Sequence, residues 1–356
     1  MKRFCDIILW STIVCLCLWI IPWTYNLVFV NSYTPPFMIY SQVTKSFVGW
    51  IVNTEEKIYI DEDGNKLNVN NVDSLLPLHF CRQLIKDNSM PDSINGVKID
   101  INELLRGTFS FSYSPITHNH TTIDLYLLFE STSGRVNLEM PNDVMRFTNH
   151  GVEFIDMNSN TIKTKKSQLF SDVLIKKGFK FPLVKAVGNA TIHKDYDNGY
   201  LLLDSKGKLF HLKQIKGRPY LKAIDMPEGV NVKSMIVTEF KNMRHLGFVF
   251  DTDNQMWTIH ANDYSFHKIA IDYYDCSKQY LKILANKFDW TISVRDNNGD
   301  NLYAISNDDY SLLRKHTIKY ENDIFDEIGK YILPLKLKFT TSTDERVYPR
   351  LKFLTD

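Results

Sequence analysis

The hydrophobic and polar positions of this chain fall into two regimes. Residues 7–30 read IILWSTIVCLCLWIIPWTYNLVFV, and from Ile7 to Thr44 there is no Asp, Glu, Lys or Arg. A helix over that first stretch is about 36 Å long at 1.5 Å per residue, enough to cross a hydrocarbon core of about 30 Å. Trp19, Trp23 and Tyr25 gather toward its far end, as interfacial aromatics do. Pro22 predicts a kink or an early helix end. The stretch 31–44 reads as an extended linker, because Pro35-Pro36 blocks helix.

From residue 45 onward the pattern changes to short apolar runs between polar turns, as β-strands require. One unit recurs: an apolar pair, an Asp, a turn rich in Gly and Asn, then apolar residues again. It appears at Tyr59-Ile60-Asp61 with Gly64, at Phe154-Ile155-Asp156 with Asn160, and at Leu202-Leu203-Asp204 with Gly207. It returns at Val249-Phe250-Asp251 with Asn254 and at Val294-Arg295-Asp296 with Gly299. Each reads as a hairpin whose Asp and Gly/Asn supply the turn. The Asp positions 61, 156, 204, 251 and 296 are separated by 95, 48, 47 and 45, the first step being about twice the others. A period of roughly 40–50 residues is that of a four-stranded propeller blade, and residues 45–331 have room for about six. The expected fold is mainly β: a propeller-like repeat of hairpins with a few short helices, preceded by one N-terminal transmembrane helix. No copy marks the position near residue 108. A mixed α/β part followed by a β meander is therefore the alternative.

Three helices are expected inside this pattern. Asp73–Lys86 has Leu76, Phe80 and Leu84 at helical spacing, with Pro77 in its first turn. Gln168–Lys177 is started by Ser167 and stopped by Gly178, and Asp323–Tyr331 follows Asn322. Leu335–Thr340 alternates as a half-exposed strand that could close a ring or form an edge.

Composition sharpens the compartment. Hydrophobic residues make up 44% and charged residues 23% of the 356, so the bulk is globular, and aromatics at 13% favour β structure. Lys2 and Arg3 favour a cytoplasmic N-terminus by the positive-inside bias. The expected organisation is a cytoplasmic tail over 1–6, a membrane anchor over 7–30, the linker over 31–44 and an extracytoplasmic domain over 45–356. A cleaved signal peptide is the rival for the first segment, but no small-x-small cleavage site follows it. Setting aside 1–44 removes Lys2, Arg3 and Asp6, so 42 basic and 41 acidic side chains become 40 and 40. That balance argues against a nucleic-acid partner and leaves protein or neutral-glycan partners open, besides the lipid bilayer through residues 7–30.

Candidate chemistry is sparse. Asp61-Glu62-Asp63-Gly64 and Asp296-Asn297-Asn298-Gly299-Asp300 offer clustered oxygens of the kind Ca²⁺ prefers, but neither completes an EF-hand and a hairpin turn explains both. His118-Asn119-His120 reads as a solvated loop between two strands. Cys81 and Cys276 either pair in an oxidising compartment or remain two buried thiols. The chain has no GxSxG elbow, SxxK or P-loop. No catalytic, cofactor-binding or metal-ligating residue is assigned, and no cofactor is expected. A pair of carboxylates meeting in space could still support glycoside hydrolysis, which makes a periplasmic glycan-binding or glycan-hydrolysing propeller the alternative function.

The blocks Glu130–Pro141 (ESTSGRVNLEMP), Arg82-Gln83-Leu84, Pro91-Asp92-Ser93, Lys177–Pro182 (KGFKFP) and Gly199–Tyr220 are distinctive. Through them the chain, over about residues 50–320, resembles the domain of unknown function 4857 family of single-anchor envelope proteins from Bacteroidetes-type bacteria. The resemblance implies a Gram-negative inner membrane, an anchored N-terminus with the bulk of the chain in the periplasm, and association with ABC-type transport components. The family has no assigned catalytic residues to carry over. The expected function is a membrane-anchored periplasmic binding or scaffold protein, an accessory of such a transport system.

Overall fold

The computed structural model describes residues 2–31, 33–52, 57–68, 72–132, 138–321 and 323–353. Helix α1 (Lys2–Phe29) runs unbroken through Pro22 and leaves nearly all its side chains exposed. It is long and apolar enough to cross a membrane, which fits a single-pass anchor or a signal sequence.

Strand β1 (Phe37–Ser41) begins inside the stretch expected as linker, so the tether after α1 ends at Pro36. It forms an antiparallel sheet with β2 (Ser46–Val52) and β3 (Lys57–Asp61). The next segment is mostly short helices. Helix α2 (Val72–Leu75) ends before Pro77 and α3 (Cys81–Lys86) starts after it, so the single helix expected over 73–86 is split in two. Pro77 lacks an N–H and its ring disfavours helical conformation in the residue before it. A small hairpin of β4 (Ser93–Ile94) and β5 (Val97–Lys98) and helix α4 (Ile101–Gly107) follow. Asp100 caps α4 by accepting from the N–H groups of Asn102 and Glu103. Strand β6 (Phe109–Tyr113) and the short helix α5 (Pro115–Asn119) complete this insert.

The remainder is a run of hairpins. Strands β7 (Asp143–Phe147) and β8 (Val152–Asp156) pair, with single bridges at Tyr126 and Ile162 on either side. Helix α6 (Thr164–Lys176) starts about a turn before its expected start, so Ser167 lies inside it rather than capping it, and ends at Lys176, one residue short of Lys177. Its C-terminus is closed by Gly178 at φ 88°, with Phe179 N–H donating to the Leu174 carbonyl. Strands β9 (Leu183–Gly188), β10 (Tyr200–Asp204), β11 (Leu209–Ile215) and β12 (Arg218–Ile224) make one meander, and β13 (Val232–Val237), β14 (His245–Asp251), β15 (Met256–His260) and β16 (Phe266–Lys268) the next. The third comprises β17 (Tyr280–Ala285), β18 (Asp289–Arg295), β19 (Gly299–Ser306) and β20 (Leu312–Lys319), and β6 joins its β17 edge. Helix α7 (Ile324–Ile332), capped by Asp323, and a hairpin of β21 (Leu335–Lys338) and β22 (Arg350–Phe353) end the described chain. Asn322, expected before this helix, lies outside the described residues.

The fold is mainly β and propeller-like, because successive meanders stack face on face and bury both sides of their middle strands. On β10, Tyr200 and Leu202 pack with Phe154, Phe170 and Phe210, whereas Leu201 and Leu203 pack with Met235, Val249 and Ile259 of the next sheet. On β14, Phe248 and Phe250 turn the other way, onto Leu281, Ile283 and Trp290 of the third meander. Leu302 and Ala304 of β19 then meet Met38, Tyr40 and Phe47 of the β1–β3 sheet. Two buried faces explain why these strands read as continuous apolar runs rather than as alternation.

The recurring Asp is the structural signature of the turns. In four copies its backbone closes the turn, and its side chain accepts N–H groups of the next residues: Asp61 from Asp63 and Asn65, Asp156 from Asn158 and Ser159, Asp204 from Lys206 and Lys208, Asp251 from Gln255. A left-handed residue closes each turn, the fourth counting from the Asp at Gly64, Gly207 and Asn254 and the fifth at Asn160, at φ 83°, 74°, 61° and 53°. Asp296 holds a tighter turn, accepting from Asn298 and Gly299. The double first step also has a cause. Residues 72–107 form the helical insert, and β6 leaves it to pair with the last meander.

Candidate functional site

Two places gather side chains that the fold does not consume in its sheets. The first is a cleft of about 730 Å³ between β1, the α2–α3 segment and the β6–β17 edge. Its walls are Ile39 and Tyr40 from β1, Leu76, Leu78 and Phe80 around Pro77, and Phe109 with Leu284 from the sheet edge. Gln42, Arg82, Gln83, Lys86 and Asn286 supply its polar groups. Splitting the helix at Pro77 is what opens it. Strand β6 stands last in its sheet, paired only with β17 among the described residues, so its other side offers an open strand edge.

The second is a polar cluster where β6, β9 and β13 approach each other. The Tyr113 hydroxyl lies 3.1 Å from Ser234 Oγ and 3.4 Å from His118 Nδ1, and Lys185 Nζ donates to Ser234 Oγ at 3.3 Å. Cys276 Sγ is 3.9 Å from His118 Nε2. Beside them Lys233 Nζ binds Asp275 at 2.8 Å and Asn254 at 2.9 Å. Burial pushes the Cys276 thiol up, and it pushes His118 down with Lys185 and Lys233 adding to the effect. The pair is therefore a neutral thiol beside a neutral imidazole, not the thiolate–imidazolium of a cysteine nucleophile. Burial alone would raise Asp275, but the Lys233 ammonium and the Ser277 hydrogen bonds outweigh it and bring the carboxyl down to about 2.

These observations settle several sequence readings. His118 is packed in the polar cluster, so the solvated-loop reading fails for it; Pro115–Asn119 is helical and turns the ring inward. His120 does face solvent, paired with Glu345. Cys81 and Cys276 are both free and buried, in separate hydrophobic clusters. The oxygens proposed for Ca²⁺ are taken by the turns and by cations: Glu62 pairs with Arg314, and Asp300 with Arg295 at 2.9 Å. Asp275 and Asp300 thus each face a cation, whereas glycoside hydrolysis needs two carboxylates facing one space. Glu130 accepts from the backbone N–H groups of Lys216 and Gly217, which ties it to the β11–β12 hairpin.

A family model described as a domain of unknown function (DUF4857) matches residues 37–305. The chain belongs to the DUF4857 family. The match begins at the first residue of β1, as the strand boundaries do, and includes both the cleft and the polar cluster. No match was found among curated proteins. Among solved structures this DUF4857 chain is similar to the Dos1 propeller at 12% identity and TM-score 0.29, with 50% of this chain and 45% of that one covered. It is similar to the dihydro-heme d1 dehydrogenase NirN in complex with DHE at 10% identity and TM-score 0.27, covering 66% and 57%. It is also similar to the N-terminal domain of Nup159 at 12% identity and TM-score 0.25, covering 83% and 64%. The chain thus spans about half the length of the first two.

The sequence carried partial signals for the DUF4857 cleft. Pro77 was visible inside a helical pattern, which marks a break, and a break between apolar turns is where a cleft can form. Nothing in the sequence places Phe109 opposite Ala285 or Ser110 opposite Leu284, because those contacts depend on a strand pairing that skips most of the chain.

Proposed function

We propose that this DUF4857 protein is a single-pass membrane protein with a cytoplasmic N-terminus, whose propeller-like domain outside the cytoplasm binds a protein partner in the inner membrane. The observation that carries the reading is the cleft: an apolar floor with a polar rim beside an open strand edge, the surroundings in which an extended peptide adds a strand and seats its side chains. The near-equal acidic and basic content of the domain fits a protein partner better than a polyanion. The family resemblance makes a transporter subunit the partner to look for first, with the protein serving as its accessory.

The test is a photo-reactive amino acid at Gln83 on the cleft rim, illuminated in native membranes, with Tyr220 on the β12 surface as control. A discrete adduct of fixed mass from Gln83, absent from Tyr220 and lost when Phe80→Asp puts a charge into the floor, supports the reading. No adduct, or the same adducts from both positions, overturns it.

A further inference from the structure

The C-terminal elements leave the stack of meanders and pack on α1. The Tyr25 hydroxyl donates to the Phe325 carbonyl at 2.8 Å, Phe29 and Phe325 have ring centroids 6.0 Å apart, and Trp19 meets Phe339 edge-on at 5.4 Å. A crevice of about 190 Å³ is lined by Pro22, Tyr25 and Asn26 of α1 together with Lys336, Lys338 and Lys352 of the hairpin. These elements therefore stand beside the aromatic end of the apolar helix.

Their own patterns are those of a membrane surface. On α7, Ile324, Ile328, Tyr331 and Ile332 share one face by helical spacing, and Ile324 and Tyr331 are 74% and 84% exposed. The opposite face carries Asp326, Glu327 and Lys330, joined in ion pairs. In the hairpin, Leu335 pairs with Phe353 and Leu337 with Leu351, whereas Lys336 pairs with Lys352 and Lys338 with Arg350. One side of the ribbon is thus wholly apolar and the other wholly cationic. Like charges directly opposite destabilise a strand pair, and a two-stranded hairpin is marginal on its own. Arg350 is neutralised by Asp344 at 2.7 Å, while Lys336, Lys338 and Lys352 have no ion pair among the described residues. Such a ribbon needs anionic groups on one side and an apolar medium on the other.

We infer that α7 and the β21–β22 hairpin form an interfacial platform that lies in the bilayer surface around the end of α1. The apolar side chains of α7 enter the boundary of the acyl chains, and the three lysines bind anionic lipid headgroups. The inference rests on the reading of α1 as an uncleaved anchor. Continuity with α1 supplies the height, the lysines supply the charge match, and the exposed isoleucines supply the buried area.

The test uses the full chain in lipid nanodiscs, with nitroxide labels on single cysteines introduced after Cys5, Cys15 and Cys17 are changed to Ser. Ile328→Cys reports α7, Ile13→Cys the anchor and Tyr220→Cys the water-facing surface. The readout is the ratio of collisions with oxygen, which concentrates in lipid, to collisions with a water-soluble nickel chelate. The platform requires the ratio at Ile328 to approach that at Ile13 and to exceed that at Tyr220. A ratio at Ile328 equal to that at Tyr220, with Ile13 lipid-like, overturns the platform and keeps the anchor. Water-like ratios at both Ile328 and Ile13 overturn the anchor reading itself. The headgroup contact requires the Ile328 ratio to be higher in discs containing anionic phosphatidylglycerol than in zwitterionic discs, and Lys336→Gln, Lys338→Gln, Lys352→Gln together to abolish that difference. No difference between the two lipids overturns the role of the lysines.

Discussion

Asp289 is a buried carboxyl whose environment favours its neutral form. It sits at the start of β18 with no exposed surface, and Gln42 Nε2 donates to one of its oxygens at 2.9 Å while the other oxygen has no partner. Burial, opposed by the Gln42 hydrogen bond and the neighbouring Asn286 amide, raises its pKa from 3.8 to about 6. Below pH 3.8 the folded and unfolded chains are both protonated here and the group has no pH-linked effect. Between pH 3.8 and about 6 the unfolded chain ionises first, so native stability falls as pH rises; above pH 6 the loss is complete. At 1.36 kcal/mol per unit, a rise of about two units is a loss of about 3 kcal/mol. Asp289→Asn keeps the shape and the acceptor for Gln42 and cannot ionise. It should therefore stabilise the protein by up to about 3 kcal/mol at pH 7.5 and by close to nothing at pH 4. The wild-type curve alone does not isolate this effect. Buried His211 and His245, lowered from 6.5 to about 4 and about 3, cost stability as pH falls through the same window. The difference between variant and wild type cancels them. Denaturant unfolding of both proteins in nonionic detergent, from pH 4 to 8, gives that difference curve. A flat curve, or a variant destabilised at pH 7.5, refutes the reasoning.

Three further outcomes follow from buried groups elsewhere. Lys194 bridges Asp197 at 2.6 Å and Glu239 at 2.8 Å with every partner 3% exposed or less, so Lys194→Met should cost about 3–5 kcal/mol and Glu239→Gln should restore part of it in an unfolding titration. Gly199 sits at φ 64°, and a Cβ there would lie 2.2 Å from the Leu212 carbonyl oxygen; Gly199→Ala should lower stability by about 1–3 kcal/mol and show as a drop in melting temperature. Cys81 and Cys276 should resist a maleimide in the folded protein and react after denaturation without reductant, as read by intact mass; protection that persists in denaturant until reductant is added would mean a disulfide.

The local chemistry of the fold was legible in the sequence and its long-range pairing was not. Each recurring Asp marked a real turn, because the side chain and the left-handed Gly or Asn act within five residues. The Gly178 stop of α6 was legible for the same reason, whereas its start was not: Ser167 lies inside the helix, which begins at Thr164 without a side-chain cap, and α7 is capped by Asp323 itself. The sequence hid the phase of the repeat. Asp61 follows the third strand of its sheet, as do Asp156 once the Tyr126 bridge is counted and Asp296 once β6 is counted, whereas Asp204 and Asp251 follow the second. It also hid the cleft and the polar cluster. His118 and Cys276 stand 158 positions apart, and Phe109 meets Phe240 and Trp290 only because β6 crosses to the last meander. Periodicity tells which faces of a strand are buried, but not against which strand.

The coupling between anchor and domain follows from the same distinction. A linker of residues 31–44 would let the domain swing freely on its helix. Instead, β1 takes up Phe37–Ser41, and Asn31 N–H is held by the Asp323 carboxylate at 2.8 Å, just before α7. Tyr33 packs on Tyr320 with ring centroids 5.0 Å apart, and Pro35-Pro36 stiffens what is left. The chain leaving α1 is therefore clamped by the segment that ends the third meander, and that meander carries one wall of the cleft. If α1 is the anchor proposed above, a domain clamped in this way would present its cleft at one height and one angle to the membrane. The proposed partner would then be selected by geometry as well as by the residues lining the cleft. Loosening the clamp with Asp323→Ala should reduce the Gln83 adduct while leaving the folding of the domain intact, because Asp323 is only partly buried and contributes to the N-terminal cap of α7 rather than to the stacked sheets.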